Sequence, residues 1–247
     1  MPQRLKLIIA YDGGHFAGWQ SQKHGNTVQD HLESAFRQIN GEPVRVHGAG
    51  RTDSGVHALA QCAHADVASD RFPSSRWTAA LNASLPPHLR VLSCRPVASD
   101  FHARFSATGK VYRYRIWTGP ILPPLEFGRV WHVYRDPDFS VIKTAAAHFL
   151  GRHDFAGFAA NRGHLERDTW RTIRSVKVNR RGFLWTLEFD GDGFLYRMVR
   201  LMVGALTDCA AGKIDVSELI RRLKRPNNHG ARLAAPASGL YLIRVRY

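Results

Sequence analysis

The sequence predicts an α+β fold of two ferredoxin-like βαββαβ halves with antiparallel sheets. Three observations predict it. Strand-like and helix-like segments follow the order β-α-β-β-α-β over the first hundred residues. The same order returns, with additions, over the rest. The 247 residues are 44% hydrophobic and 11% aromatic, enough for one large core or two small ones and unlike a disordered chain.

Each element has a local cause. Leu5–Tyr11 is a strand by alternation. Thr27 caps a helix over Val28–Asn40, whose Val28, Leu32, Ala35, Phe36 and Ile39 share a face, and Gly41 ends it. Val44–Ala49 and Leu59–Val67 are strands on either side of a glycine-rich loop, Gly48–Gly55. Ser74 or Ser75 starts a helix through Ala83 that stops before Pro86-Pro87, and Leu89–Cys94 is again a strand. In the second half, Lys110–Trp117 is a strand, Thr118–Pro124 a loop, and Phe139–Leu150 a helix ended by Gly151. Asn161–Arg171 is a basic loop. Thr172–Asn179 and Phe183–Asp190 form a hairpin, Phe194–Ala211 is the longest helix, Val216–Leu223 a shorter one, and Leu240–Tyr247 the last strand. Asp100–Gly109 is the seam, so residues 1–105 and 106–247 form an N-terminal and a C-terminal α+β domain.

Charge narrows the partner. The net charge is +15, with +6 on residues 1–120 and +9 on residues 121–247. Arg outnumbers Lys 28 to 7, and its planar fork suits phosphates and base stacking. Basic residues spread through a folded chain point to a nucleic acid, and RRM-like sheets are a known platform for RNA. Three cysteines without a C-x-x-C pair fit a reducing cytoplasm rather than a disulfide framework. No stretch approaches the roughly 18 apolar residues of a membrane span, and the four apolar residues before Tyr11 are too few for a signal peptide.

Several chemistries lack their motifs. The glycines match neither the P-loop nor the dinucleotide fingerprint. There is no H-E-x-x-H and no G-x-S-x-G. Cys62 and His64 share one strand face but read as core. No metal and no small-molecule cofactor is expected.

What remains is Gly50-Arg-Thr-Asp-Ser-Gly-Val-His-Ala58. An Asp between glycines makes a turn on its own account. Here the loop joins two strands and places Arg51 beside Asp53, a carboxylate next to a cation in a basic protein. This stretch closely resembles the active-site motif of the tRNA pseudouridine synthase A family. The resemblance is collinear over almost the whole chain: Tyr11–Gln22, Thr27–Glu33, Phe101–Ala107, Tyr112–Tyr114, Gly151–Phe155 with Phe158, Gly193–Arg200 and Gly239–Leu242. Ser54 stands where the family commonly has Ala, and Tyr196-Arg197 and Leu201 replace residues that are His-His and Asn in some members.

The resemblance implies a pseudouridine synthase fold and a cytoplasmic isomerase without cofactor. It would convert uridine to pseudouridine at positions 38, 39 and 40 of the tRNA anticodon stem-loop, as a homodimer. Asp53 matches the catalytic nucleophile or base, attacking C1′ or C6 or removing the 2′ proton. Arg200 matches the cation that keeps it ionised, Arg51 the residue that assists base flipping, and Tyr112 the tyrosine that binds the extruded base. Thr52 and His57 shape the loop. Arg162–Arg174 and Arg221–Arg225 are candidate phosphate contacts. The alternatives are the same reaction on another RNA and a non-catalytic RNA-binding protein with a vestigial site.

Overall fold

The computed structural model describes residues 2–68, 72–134, 137–160, 168–224 and 233–247. Its elements are β1 (Pro2–Tyr11), α1 (Val28–Asn40), β2 (Val46–Gly48), β3 (His57–Ala68), α2 (Trp77–Ser84), β4 (Leu89–Val97), β5 (Gly109–Trp117), β6 (Trp131–His132), α3 (Phe139–Ala147), β7 (Gly151–Asp154), β8 (Trp170–Arg181), β9 (Leu184–Gly191), α4 (Met198–Ala210), α5 (Val216–Lys224) and β10 (Leu240–Arg246). The α+β class stands, with mostly antiparallel sheets. The chain divides into two compact units: unit 1 is residues 1–108 with 241–247, and unit 2 is residues 109–240.

In unit 1 the strand order is β4-β1-β3, and β2 and β10 take successive stretches of the far edge of β3. β2 pairs antiparallel through Val46↔Ala65, while β10 runs parallel to β3 at Tyr241↔His57. Alternation along β1 buries Leu5, Leu7 and Ile9 completely. α1 and α2 bury Val28, Leu32, Phe36, Trp77 and Leu81, with the Phe36 and Trp77 rings 5.4 Å apart. The opposite side chains of β1 meet a smaller cluster, in which Ile8 packs with Ala49, Cys62, Ala103, Phe101 and Val245. α1 starts in a capping box: Asp30 N–H donates to the Thr27 side chain and the Asp30 carboxylate accepts from Thr27 N–H. Gly41, at φ 77°, closes it.

In unit 2 the order is β5-β9-β8-β7, with β6 parallel to β5. α3 packs on α4, and Trp185, Leu187 and Phe189 of β9 are fully buried. Three differences from the sequence expectation have physical reasons. α4 begins at Met198 rather than Phe194, because Arg197 takes a left-handed conformation (φ 57°) that a helix cannot include. β7 pairs with β8, although Gly-Arg-His-Asp carries no strand alternation of its own. The final strand, placed by chain order in the second half, lies instead with unit 1, where β3 has an edge to fill. Most of the basic loop Asn161–Arg171, through residue 167, falls outside the described residues.

Candidate active site

The loop between β2 and β3 is fastened at nearly every residue. Ala49 N–H donates to the Cys62 carbonyl at 2.8 Å. The amide of Gln61, a fully buried residue, donates to the Gly50 carbonyl at 2.8 Å. Thr52 is buried; its carbonyl accepts from Trp19 N–H at 3.0 Å, and its hydroxyl lies 2.8 Å from the Tyr11 hydroxyl. Burial pushes the Tyr11 phenol up to about 12, so it stays protonated and able to donate. Ser54 Oγ donates to the Phe16 carbonyl, Gly55 N–H to the Gly13 carbonyl, and Val56 N–H to the Asp53 carbonyl. His57 is buried; its Nδ1 accepts from Gly13 N–H at 3.1 Å and lies 3.1 Å from Asp12, and its ring stacks on Tyr241 at 4.6 Å.

Two glycines of the Tyr11–Gln22 segment make these contacts possible. A Cβ on Gly13 would overlap the Val56 carbonyl. A Cβ on Gly18, itself at φ 103°, would come within 2.9 Å of the Thr52 carbonyl and 3.3 Å of the Asp53 backbone. So the segment after β1 is a bed on which the loop lies. Thr52 is turned into that bed, Arg51 is exposed and Asp53 is half-buried. A carboxylate held this way has a fixed backbone and an accessible side chain, the requirement for a nucleophile or base.

Unit 2 carries the other two candidates. Tyr112 and Tyr114 share one face of β5 and are both buried. The Tyr112 ring meets Phe194 edge-on at 5.0 Å. Tyr114 is core: its hydroxyl donates to the Pro236 carbonyl at 2.7 Å, and its ring lies against Gly239. Arg113 and Arg115, on the other face, pair with Glu188 and Glu126, each at 2.8 Å. Arg200 sits in the first turn of α4, half-buried, and its Nε donates to the Ala235 carbonyl at 2.7 Å. Its own carbonyl accepts from Ala235 N–H at 3.0 Å. A Cβ on Gly204 would overlap the Leu233 carbonyl, so the small residue lets residues 233–235 approach α4.

Other sequence-level candidates separate here. Arg221 and Arg222 both pair with Glu218, and Arg174 with Asp190. Asp154 of the Gly151–Phe155 motif caps the next turn through Ala156 N–H, and Phe149, Phe155 and Phe158 form an aromatic cluster, so that motif is structural. Among the described residues no group of His, Cys, Asp or Glu is arranged to hold a metal ion, and no helix is long and apolar enough to cross a membrane. The sequence did not single out Gln61 or Trp19; a Gln on a strand carries no signal that it is buried against a loop carbonyl.

Comparison with known proteins now bears on this geometry. A family model described as tRNA pseudouridine synthase matches residues 7–106 and 145–247. The chain belongs to the tRNA pseudouridine synthase family. It is 45% identical to a tRNA pseudouridine synthase A of Akkermansia muciniphila over 99% of this chain and 95% of that protein. It is 41% identical to one of Acetivibrio thermocellus over 99% and 100%, and 45% identical to one of Solidesulfovibrio magneticus over 99% and 91%. The matched stretches include Arg51, Asp53 and Arg200, whereas Tyr112 lies between them.

Proposed function

We propose that the chain isomerises uridine to pseudouridine at positions 38, 39 and 40 of the tRNA anticodon stem-loop, with Asp53 as nucleophile or base. The observation that carries this is the loop itself: the residues around Asp53 are fastened by hydrogen bonds, and half-buried Asp53 carries the carboxylate of the Thr52–Val56 turn. In the reaction the N1–C1′ bond breaks, a C5–C1′ bond forms, and C5 gives up its proton while N1 gains one. Arg51, exposed beside Asp53, enters the helix and stabilises the vacated stack. Tyr112 packs on the extruded uracil, and Arg200, held by Ala235, is the cation that serves the reaction.

The two units serve as N-terminal and C-terminal domains of a ferredoxin-like pair; the β4-β1-β3-β2 order with α1 and α2 supports this for unit 1. A cytoplasmic homodimer is the working form, with a charge of +15 on each copy for the RNA. The test uses unmodified tRNA tritiated at uracil C5. The wild type should release tritium, and Asp53→Asn should lose at least about 1000-fold in rate while binding tRNA within a few-fold, because phosphate contacts dominate affinity. Absence of release from the wild type on any tRNA would sink the activity; full release from Asp53→Asn would sink the role of Asp53.

A further inference from the structure

One aromatic in unit 1 is held in solvent by a built support. Phe105 is 77% exposed. It lies just before the end of the turn Phe101–Ser106, which Ser106 locks twice: His102 N–H donates to Ser106 Oγ at 3.0 Å, and Ser106 N–H to the His102 carbonyl at 2.9 Å. His102 Nδ1 accepts from both Arg104 N–H (3.1 Å) and Phe105 N–H (3.2 Å). That fixes the neutral tautomer with hydrogen on Nε2. Its ring stacks under Phe105 at 4.3 Å and 29°. Behind it stand His64, 4.6 Å away, and His47, 5.0 Å from His64. Burial and the nearby His47, Arg4 and Arg104 hold the His102 imidazole below its usual range, so the support stays an uncharged plate.

An exposed phenyl gains by folding down onto apolar neighbours, since that removes its carbons from water. This one is propped away from them. The Arg104 guanidinium lies over the ring, 5.7 Å from its centroid, bringing a cation to it. Ala103, in the middle of the same turn, packs with Ala49 and Cys62, and Ala49 opens the loop that carries Arg51 and Asp53. The propped ring and the candidate catalytic loop are therefore built on one patch of β3. An aromatic face beside an arginine in a chain of net charge +15 has the chemistry of a nucleobase and its phosphate.

We propose that Phe105 is a stacking platform for an unpaired nucleobase of the RNA, outside the target uridine, with Arg104 at the adjoining phosphate. This rests on the reading of the chain as an RNA-modifying enzyme, and it adds a second point at which RNA is gripped. Base–aromatic stacking is sequence-tolerant, so the platform accepts any base.

The experiment measures tRNA affinity and steady-state kinetics for Phe105→Ala, Phe105→Leu and Phe105→Trp, with melting temperature as a fold control. Phe105→Ala and Phe105→Leu should weaken binding about 5- to 50-fold, the loss falling on KM more than on kcat. Phe105→Trp should bind within about threefold of wild type. Unchanged affinity in Phe105→Ala overturns the proposal, as does full affinity in Phe105→Leu, which keeps the apolar bulk and lacks the π face. A lower oligomer mass in Phe105→Ala, with RNA affinity per protomer unchanged, overturns it in favour of a protein contact. Because affinity is read separately from tritium release, a wild type that binds tRNA without turnover would refute the proposed reaction and leave the platform standing.

Discussion

The Asp53 loop in unit 1 and the Arg200 turn in unit 2 are fixed by different means. The loop is held from below by a continuous bed of backbone contacts, with Gly13 and Gly18 letting two chain segments touch. Arg200 meets Ala235, 35 residues away, in a reciprocal contact next to a close approach at Gly204. Dense, short-range fastening gives the Asp53 backbone positional precision. A long-range clasp gives a charge its place through a segment far along the chain. The difference teaches that an error of an ångström matters more at the first site than at the second.

The largest effect should come from Gly13→Ala. Its Cβ has nowhere to go but into the Val56 carbonyl, so the loop must lift and take Asp53 with it. Tritium release should fall by about 100-fold or more, with affinity for tRNA largely kept. Gly204→Ala should push residues 233–235 off α4 and loosen the Arg200 anchor, lowering turnover about tenfold. If both variants lose activity equally, the contrast between bed and clasp is wrong.

A smaller effect separates the units by acid. His64, on the β3 that supports the loop, is buried and its Nδ1 accepts from Ala103 N–H at 3.1 Å. Burial first, then the charges of His102, His47 and Arg4, lower its pKa to about 4, with Asp66 opposing. The unfolded chain binds this proton below about pH 6.5 and the folded chain only below about 4. Stability should therefore fall as pH drops from 6.5 to 4, by on the order of 2 kcal/mol, and recover on the way back up. Hydrogen exchange across that window should show unit 1 amides losing protection before those of unit 2, and His64→Gln should flatten the dependence. Equal acid loosening of both units would remove this distinction.

Legibility in the sequence follows the same line. α1 was readable to the residue, because Thr27, Asp30 and Gly41 act on their immediate neighbours. The shaping of the Gly50–Ala58 loop by Thr52 and His57 was readable, because the fastenings sit inside two short motifs. The start of α4 was not readable: nothing in Phe194–Arg197 announces a left-handed arginine. Nor was the partner of Arg200, since Ala235 is an ordinary residue whose carbonyl does the work. β7 has four mixed residues and becomes a strand only because β8 lies beside it. Local chemistry can be read from local letters; pairing across dozens of residues needs the fold.

The return of β10 to unit 1 has a consequence for how the molecule is made. Unit 1 is interrupted: the ribosome delivers its first 108 residues, then all of unit 2, and only then the strand that pairs with His57 and brings Tyr241 to that imidazole. Until then one edge of β3 stands open and His57, at the foot of the Asp53 loop, lacks the ring it stacks on. A nascent or truncated chain would thus carry the whole loop sequence without its finished support. A fragment cut after residue 108 would lack this strand and, with it, the Tyr241 ring against His57.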